Sequence, residues 1–377
     1  MRRLTPVVLC CAALAVLGLP ARPAVAAAAV YYVAPGGDDS QSGTIDAPWG
    51  TLQKAADSMV AGDTALIADG EYDGGIVQEH PGTADAPITF RAMNPGKAIV
   101  RGDRTQNRDA FFISEADYVV LEGLTVQQAT RAGIRVSLSN HVTIRGCQVL
   151  NNTRWGIFTD YSDDLLLEGN ECAFTVQNYG IYLSNSGDRP ILRLNSVHDN
   201  RSSGIEINPD PESLNPDLGT RGDGITTGAV VDRNIIYNNG AAGAAGINLS
   251  SVRASRFTNN LIFNNLAGGI AGFDNGDGLE WGCKDNLILN NTIYFRPGEG
   301  RWCVSFKNGS TGNLIQNNIL SGGARGALEF DDDSPLKSDN NLLFRDNNAQ
   351  VATNEDTEEQ WALEDWQAAS SNERRSA

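Results

Sequence analysis

One short phrase recurs between Gly228 and Leu320: VVDRNIIYNN, SRFTNNLIFNN, NLILNNTIY and NLIQNNIL. Its first asparagines, Asn234, Asn260, Asn291 and Asn318, are separated by steps of 26, 31 and 27 residues. A period of this size marks a stacked repeat whose units cannot bury a core alone. About ten residues later comes a second column, Gly-Ile-x-apolar. It appears as GIRV (133–136), GIFT (156–159), GIYL (180–183), GIEI (204–207) and GINL (246–249), then as CVSF (303–306) and ALEF (327–330). The asparagine column runs back through Asn195 and Asn170 to Cys147, and forward to Asn341. Each unit thus holds short strands of two-residue period joined by tight turns, with no long amphipathic helix between them. Short strands stacked without crossover helices define an all-β solenoid, a parallel β-helix. A turn asparagine can bond both its own turn and the asparagine of the next coil, and so satisfy buried backbone groups.

The 377 residues would ordinarily suggest two or three domains, but a solenoid grows by adding coils and remains one. Residues 1–26 read as a secretory signal. Arg2 and Arg3 form the charged start, Val7–Leu19 the apolar core, and Ala24-Val25-Ala26 the cleavage site. A secreted, extracellular protein is expected, with no membrane span. Removing the three signal arginines changes the net charge to −17 − 3 = −20. Such a surface argues against nucleic acid and anionic membrane, and suits divalent cations. Four cysteines then remain: Cys147, Cys172, Cys283 and Cys303. An oxidising compartment permits disulfides, and the most local pairing is Cys147–Cys172 with Cys283–Cys303; buried thiols are the alternative.

Four regions are expected: the signal, a cap with first coil at 27–84, the β-helix at 85–345 and an acidic capping tail at 346–377. Within the cap, Thr51–Val60 reads as a short helix with Leu52, Ala55, Ala56 and Met59 on one face. A helix there covers the open end of the stack. The stretches YYVAPGGDDSQSGT, APWGTLQKAAD and AGDTALIADGEY carry a resemblance. With the repeats, they make residues 30–345 similar to secreted right-handed parallel β-helix proteins, notably polysaccharide lyases of families nine and six. The resemblance implies the fold directly. Activity is carried less specifically, since the scaffold also serves hydrolases, epimerases and adhesins.

Two coils are over-long, by NPDPESLNPDLGTRGDG (208–224) and DNGDGLEWGC (274–283), both just after a Gly-Ile strand. Insertions gathered on one edge point to function. Alternation sends two columns outward: Arg135, Phe158, Tyr182, Glu206, Asn248, Ala271, Ser305, Glu329, and Ser137, Asp160, Ser184, Asn208, Ser250, Phe273, Lys307, Asp331. This mix suits a saccharide groove for an acidic or neutral polysaccharide, with Phe158, Tyr182, Glu206, Asn208, Asn248 and Trp281 binding substrate. An ordinary solvated sheet face is the alternative.

In family-nine lyases an Asp-rich calcium site precedes a catalytic lysine by about one coil. The resemblance therefore implies Lys307 as base and calcium on Asp274 and Asp277; Asp331, one coil after the lysine, is a further candidate ligand, and Arg301, which begins the lysine's coil, a further candidate catalytic residue. The adjacent Asp-Asp of that family is here Asn275-Gly276. A salt bridge between Lys307 and Asp331 is the structural alternative. Uronate elimination is the leading reading. A glycoside hydrolase using Asp160, Glu206, Asp210, Glu212 or Asp217 is the second, and a binding-only surface protein the third. His198 aligns with Tyr237, Phe263 and Tyr294 as an outward strand residue. The protein is expected to be a monomer.

Overall fold

The computed structural model describes residues 28–344 and 350–370. The signal expected at 1–26, and nearly all of the terminal segment 370–377, lie outside them. Three parallel sheets run the length of the chain, with twelve, twelve and eleven strands. Sheet one begins with Val30–Val33 and ends with Lys337–Asp339. Sheet two runs from Ile76–Gln78 to Ala352–Asn354, and Gln360–Trp361 adds one antiparallel strand. Sheet three runs from Gly70–Asp73 to Leu342–Phe344. A single coil shows the order: Leu166–Glu168 in sheet one, Glu171–Ala173 in sheet three, Ile181–Ser184 in sheet two. Solenoid pairing starts earlier than residue 85, because Val30–Val33 already pairs with Thr64–Ile67.

The period-two reading places the core correctly. Ile134, Ile157, Ile181, Ile205, Ile247, Ile270, Val304 and Leu328 stack in register on sheet two and are buried. In the neighbouring inward column, where Leu249, Gly272 and Phe306 are in register, Gly272 lacks a side chain and Phe306 of the next coil fills the space: a Cβ there would lie 2.4 Å from its ring. The first helix spans Leu52–Ser58, capped by the Thr51 hydroxyl accepting from Lys54 N, with Leu52, Ala55, Ala56 and Met59 buried. A second helix, Leu363–Ser370, buries Trp366 against the last coil. Among the described residues no helix is long and apolar enough to cross a membrane.

The corner between sheets one and three carries the asparagine ladder. Asn170, Asn195, Asn234, Asn260, Asn291, Asn318 and Asn341 are all buried. Each Oδ1 from Asn195 onward accepts from the backbone N and the Nδ2 of the preceding asparagine. Nδ2 also donates to a core carbonyl, as Asn260 does to Val231 O. The residue before each asparagine is left-handed: Asn259, Asn290, Asn317 and Asn340 at φ 57–59°, Leu194 at 59° and Arg233 at 54°. The Asn-Asn pair therefore divides its work between a turn residue that tolerates positive φ and a buried ladder residue. A second ladder, Asn200, Asn239 and Asn265, turns the corner between sheets three and two.

The four cysteines are free and buried, so the disulfide expectation gives way to its alternative. Cys147 heads the asparagine ladder, donating its N–H to Asn170 Oδ1, while Cys172 takes a valine-like core place on sheet three, opposite Val149. Cys283 and Cys303 point to different corners, with their Sγ atoms near Phe273 O and Ile293 O. Each thiol fills a small apolar slot.

Replacing Asn260 by Ala removes four buried hydrogen bonds and should lower unfolding free energy by roughly 2–4 kcal/mol, read from the denaturation midpoint. Leu194 is half exposed at positive φ. Leu194→Asn should instead raise stability by about 0.5–1 kcal/mol. An unchanged or lower midpoint would show that the turn carries no strain.

Candidate functional site on sheet two

Sheet two carries the first outward column in the expected register, and the second in part, with Lys307 and Asp331 just past the ends of their strands. Arg135, Phe158, Tyr182, Glu206, Asn248, Ala271, Ser305 and Glu329 pair coil to coil. The insertions close the downstream edge. Tyr161 donates to Ser213 O, and Gly224 N to Ser186 Oγ. Trp281 of the second insertion packs beside Gly224 of the first, where a Cβ would lie 3.1 Å from its ring. Trp281 thus joins the two insertions into one rim.

The upstream half of the face is aromatic. Trp155 stacks on Phe158 with centroids 4.4 Å apart, and Tyr182 meets Phe158 at 5.4 Å and Tyr179 at 4.9 Å. Arg135 lies over Phe112 and Phe158 and is paired with Asp160. Asp160 also accepts from Ser137, so its side chain is already engaged within the sheet. Burial lifts the Tyr182 phenol to about 12, against hydrogen bonding by Ser184 and Asn208. Asn208 Oδ1 caps Asp210 N at the insertion's start. Glu206 is buried, accepts from Ser203 Oγ at 2.7 Å and is bonded to Asn248. Burial raises its carboxyl to about 7 against both of these bonds.

The downstream half forms a cavity of about 240 Å³, lined by Asn248, Arg301, Trp302, Ser305, Lys307 and Glu329 among others. The Lys307 ammonium lies 2.6 Å from Glu355 and 3.5 Å from Glu329. Burial disfavours its charge, but the hydrogen bond to Glu355 and the field of Glu329 outweigh this and raise it above the ordinary lysine range. Glu329 is itself raised to about 7 by burial, despite its bonds to Ser305 and Lys307. Lys307 at rest is therefore an acid rather than the expected base. Its partners are Glu329 and Glu355, not Asp331.

The expected metal ligands are held otherwise. Asp274 accepts from the N–H groups of Gly276 and Gly278 and from Asn308 Nδ2. Burial opposes its ionisation, but these donors keep it below the usual range. Asn308 N donates to Asp331 Oδ2 at 2.6 Å, so Asn308 stands between the two carboxylates. Asp277 faces Glu212 and Asp210 of the other insertion, and burial and those charges raise it. Among the described residues no three His, Cys, Asp or Glu gather to hold a metal ion. Asp274, Asp277 and Asp331 therefore do not fit the calcium site that the resemblance implies. Of the acids expected for a hydrolase, Asp160 stands two coils from Glu206, roughly 10 Å along the axis at ~4.8 Å per coil, and is held by Arg135 and Ser137.

Sequence reasoning missed Trp302, Arg325 and Glu355. Trp302 stands immediately before the core residue Cys303, in the column shared with Trp155. His198 is an outward strand residue as expected. It stacks on Tyr237 at 4.6 Å, which stacks on Phe263 at 5.0 Å, and it bonds Asp199 and Glu171.

A family model described as "Pel9A-like, right handed beta helix region" matches residues 31–318. Among curated proteins, the chain is 32% identical over 120 residues to the uncharacterized protein YwoF of Bacillus subtilis (strain 168). It is 36% identical over 109 residues to the pectate lyase PEL9 of Emericella nidulans. The matches take in 29% and 28% of this chain, and the chain spans 26% of the length of each relative. Among solved structures, the alginate lyase from Paenibacillus sp. str. FPU-7 superposes with a TM-score of 0.63 at 20% identity, over 75% of this chain and 95% of that one. The pectate lyase Pel9A gives 0.57 at 17%, over 87% and 77%. At these identities the structural likeness establishes the fold.

A carboxyl raised in the folded state binds its proton more tightly there, so Glu206 contributes stability below about pH 4.5 that is lost as pH rises through about 7. Glu206→Gln should melt higher than the parent at pH 8, by up to roughly 3 kcal/mol in unfolding free energy, with the difference vanishing near pH 4. A pH-independent difference would show that Glu206 ionises normally.

Proposed function

Because the chain belongs to the Pel9A-like right-handed β-helix family, we propose that it is a polysaccharide lyase cleaving a uronate-containing polymer by β-elimination in the Arg301–Lys307 cavity. One observation carries this reading. In a protein of net charge −17, an arginine with no ion-pair partner among the described residues and a lysine meet at one cavity with a carboxyl titrating near 7.

β-Elimination breaks the C5–H and C4–O4 bonds of a uronate and forms a C4=C5 double bond. Negative charge grows on the C6 carboxylate as the proton leaves, and a preorganised cation beside it lowers the barrier. Arg301, exposed at the cavity mouth, binds that carboxylate. Glu329, ionised above about pH 7, takes the C5 proton. The Lys307 ammonium gives a proton to the departing O4, leaving an unsaturated uronate on one product and a hydroxyl on the other. Proton return from Glu329 to Lys307 across their 3.5 Å separation resets the pair. The rim of the two insertions and the Trp155–Phe158–Tyr182 surface position the rest of the polymer. Secretion, expected from residues 1–26, would place the protein with such polymers.

The test is the ultraviolet absorbance of the unsaturated product, with pectate and alginate as substrates. Lys307→Ala should lower kcat roughly 10²–10⁴-fold. Arg301→Ala should lower kcat/KM on the order of a hundredfold with an unchanged melting temperature. The rate should climb through about pH 7 as Glu329 loses its proton and should survive EDTA. Full activity in Lys307→Ala, or a neutral chain cleaved by hydrolysis, would end this reading.

A further inference from the structure

We infer that the groove continues past this cavity into a second sugar subsite, in which Arg325 receives the carboxylate of the neighbouring uronate. The inference rests on the uronate reading of the Arg301–Lys307 cavity. Beside that cavity lies a larger one of about 420 Å³, lined by Trp302, Arg325, Glu329, Thr353, Asn354 and Gln360 among others. Trp302 and Glu329 line both, so the two are one trough along the solenoid axis.

Arg325 stands one coil beyond Arg301, its backbone N donating to Arg301 O. Its guanidinium centre lies 5.0 Å from the Trp302 ring centroid, with Lys307 Nζ 5.5 Å from the same ring. A guanidinium resting on an aromatic face is oriented before any ligand arrives and keeps its N–H edge free for a carboxylate. Among the described residues Arg325 has no ion-pair partner. Of the three acids lining the cavity, Glu355 is engaged by Lys307 and Glu329 by Ser305 and Lys307, and Glu358 forms no ion pair with Arg325.

A pyranose is about as long as the ~4.8 Å coil step, so consecutive sugars lying along the axis meet consecutive coils. Two guanidiniums one coil apart, neither with an ion-pair partner among the described residues, fit carboxylates on consecutive sugars. The substrate class is then a block of contiguous uronates, rather than uronates alternating with neutral sugars. Arg325 and the hairpin residues 350–361 lie beyond the residues 31–318 that the family model matches.

The experiment measures binding of defined-length galacturonate and mannuronate oligomers by calorimetry. The full chain carries Glu329→Gln to prevent turnover, with and without Arg325→Ala. Affinity should rise at least tenfold from disaccharide to tetrasaccharide, and Arg325→Ala should abolish that gain, with Arg325→Lys restoring part of it. A length dependence that persists in Arg325→Ala, an absence of any length dependence, or equal binding of a neutral oligomer would overturn the subsite. The two readings fail separately. Length-dependent, Arg325-dependent binding without elimination by the parent chain would leave the subsite standing and remove the lyase. Elimination without a length effect would do the reverse.

Discussion

Every coil must turn a corner inside the core, where backbone N–H groups find no water. The buried asparagine solves this because its amide is donor and acceptor at once. Its oxygen takes two hydrogens from the coil before, and its nitrogen reaches both a core carbonyl and the coil after. Seven such residues fix the axial register of the stack. With the register fixed, everything on sheet two is fixed too: the outward columns are straight because the corner beneath them cannot slip.

That rigidity explains how the face can hold unusual charges. Glu206 and Glu329 are carboxyls in places that disfavour ionisation, and a softer scaffold would let water in or swing them out. Here each is bound to a serine, Ser203 or Ser305, and enclosed by neighbouring coils. The cost of holding them is spread over a core of continuous Ile, Val and Leu columns. The insertions do different work. They add no sheet, but they raise a rim on one edge, so a flat ladder becomes a trough.

The fold was legible from residues because two periods coexist: one near 26 residues for the coil and one of two within each strand. Both outward columns follow from the second alone, and the strand register bears out the first from coil to coil. The site was legible only in part. Lys307, Arg301 and Asn248 were placed on the right face, yet the lysine's partners could not be read. Glu355 comes from a hairpin 48 residues away, and no period connects the two. Asp274, Asp277 and Asp331 looked like ligands from the resemblance and their places around Lys307, but a loop aspartate also closes its own turn, and Asn308 takes the space between two of them. The cysteines misled for a similar reason. Sequence proximity suggests pairing, whereas the solenoid sends Cys147 and Cys172 to different walls of the same core.

The terminal hairpin has a double position. Its antiparallel strand, Gln360–Trp361, runs against the parallel direction of sheet two and occupies the edge on which another β-helix could grow. The same hairpin delivers Glu355 to Lys307. The end of sheet two and the counter-ion of the groove's lysine therefore depend on one short piece of chain. A proteolytic nick that released it would expose a sticky sheet end and strip the lysine of its closest counter-ion in a single event.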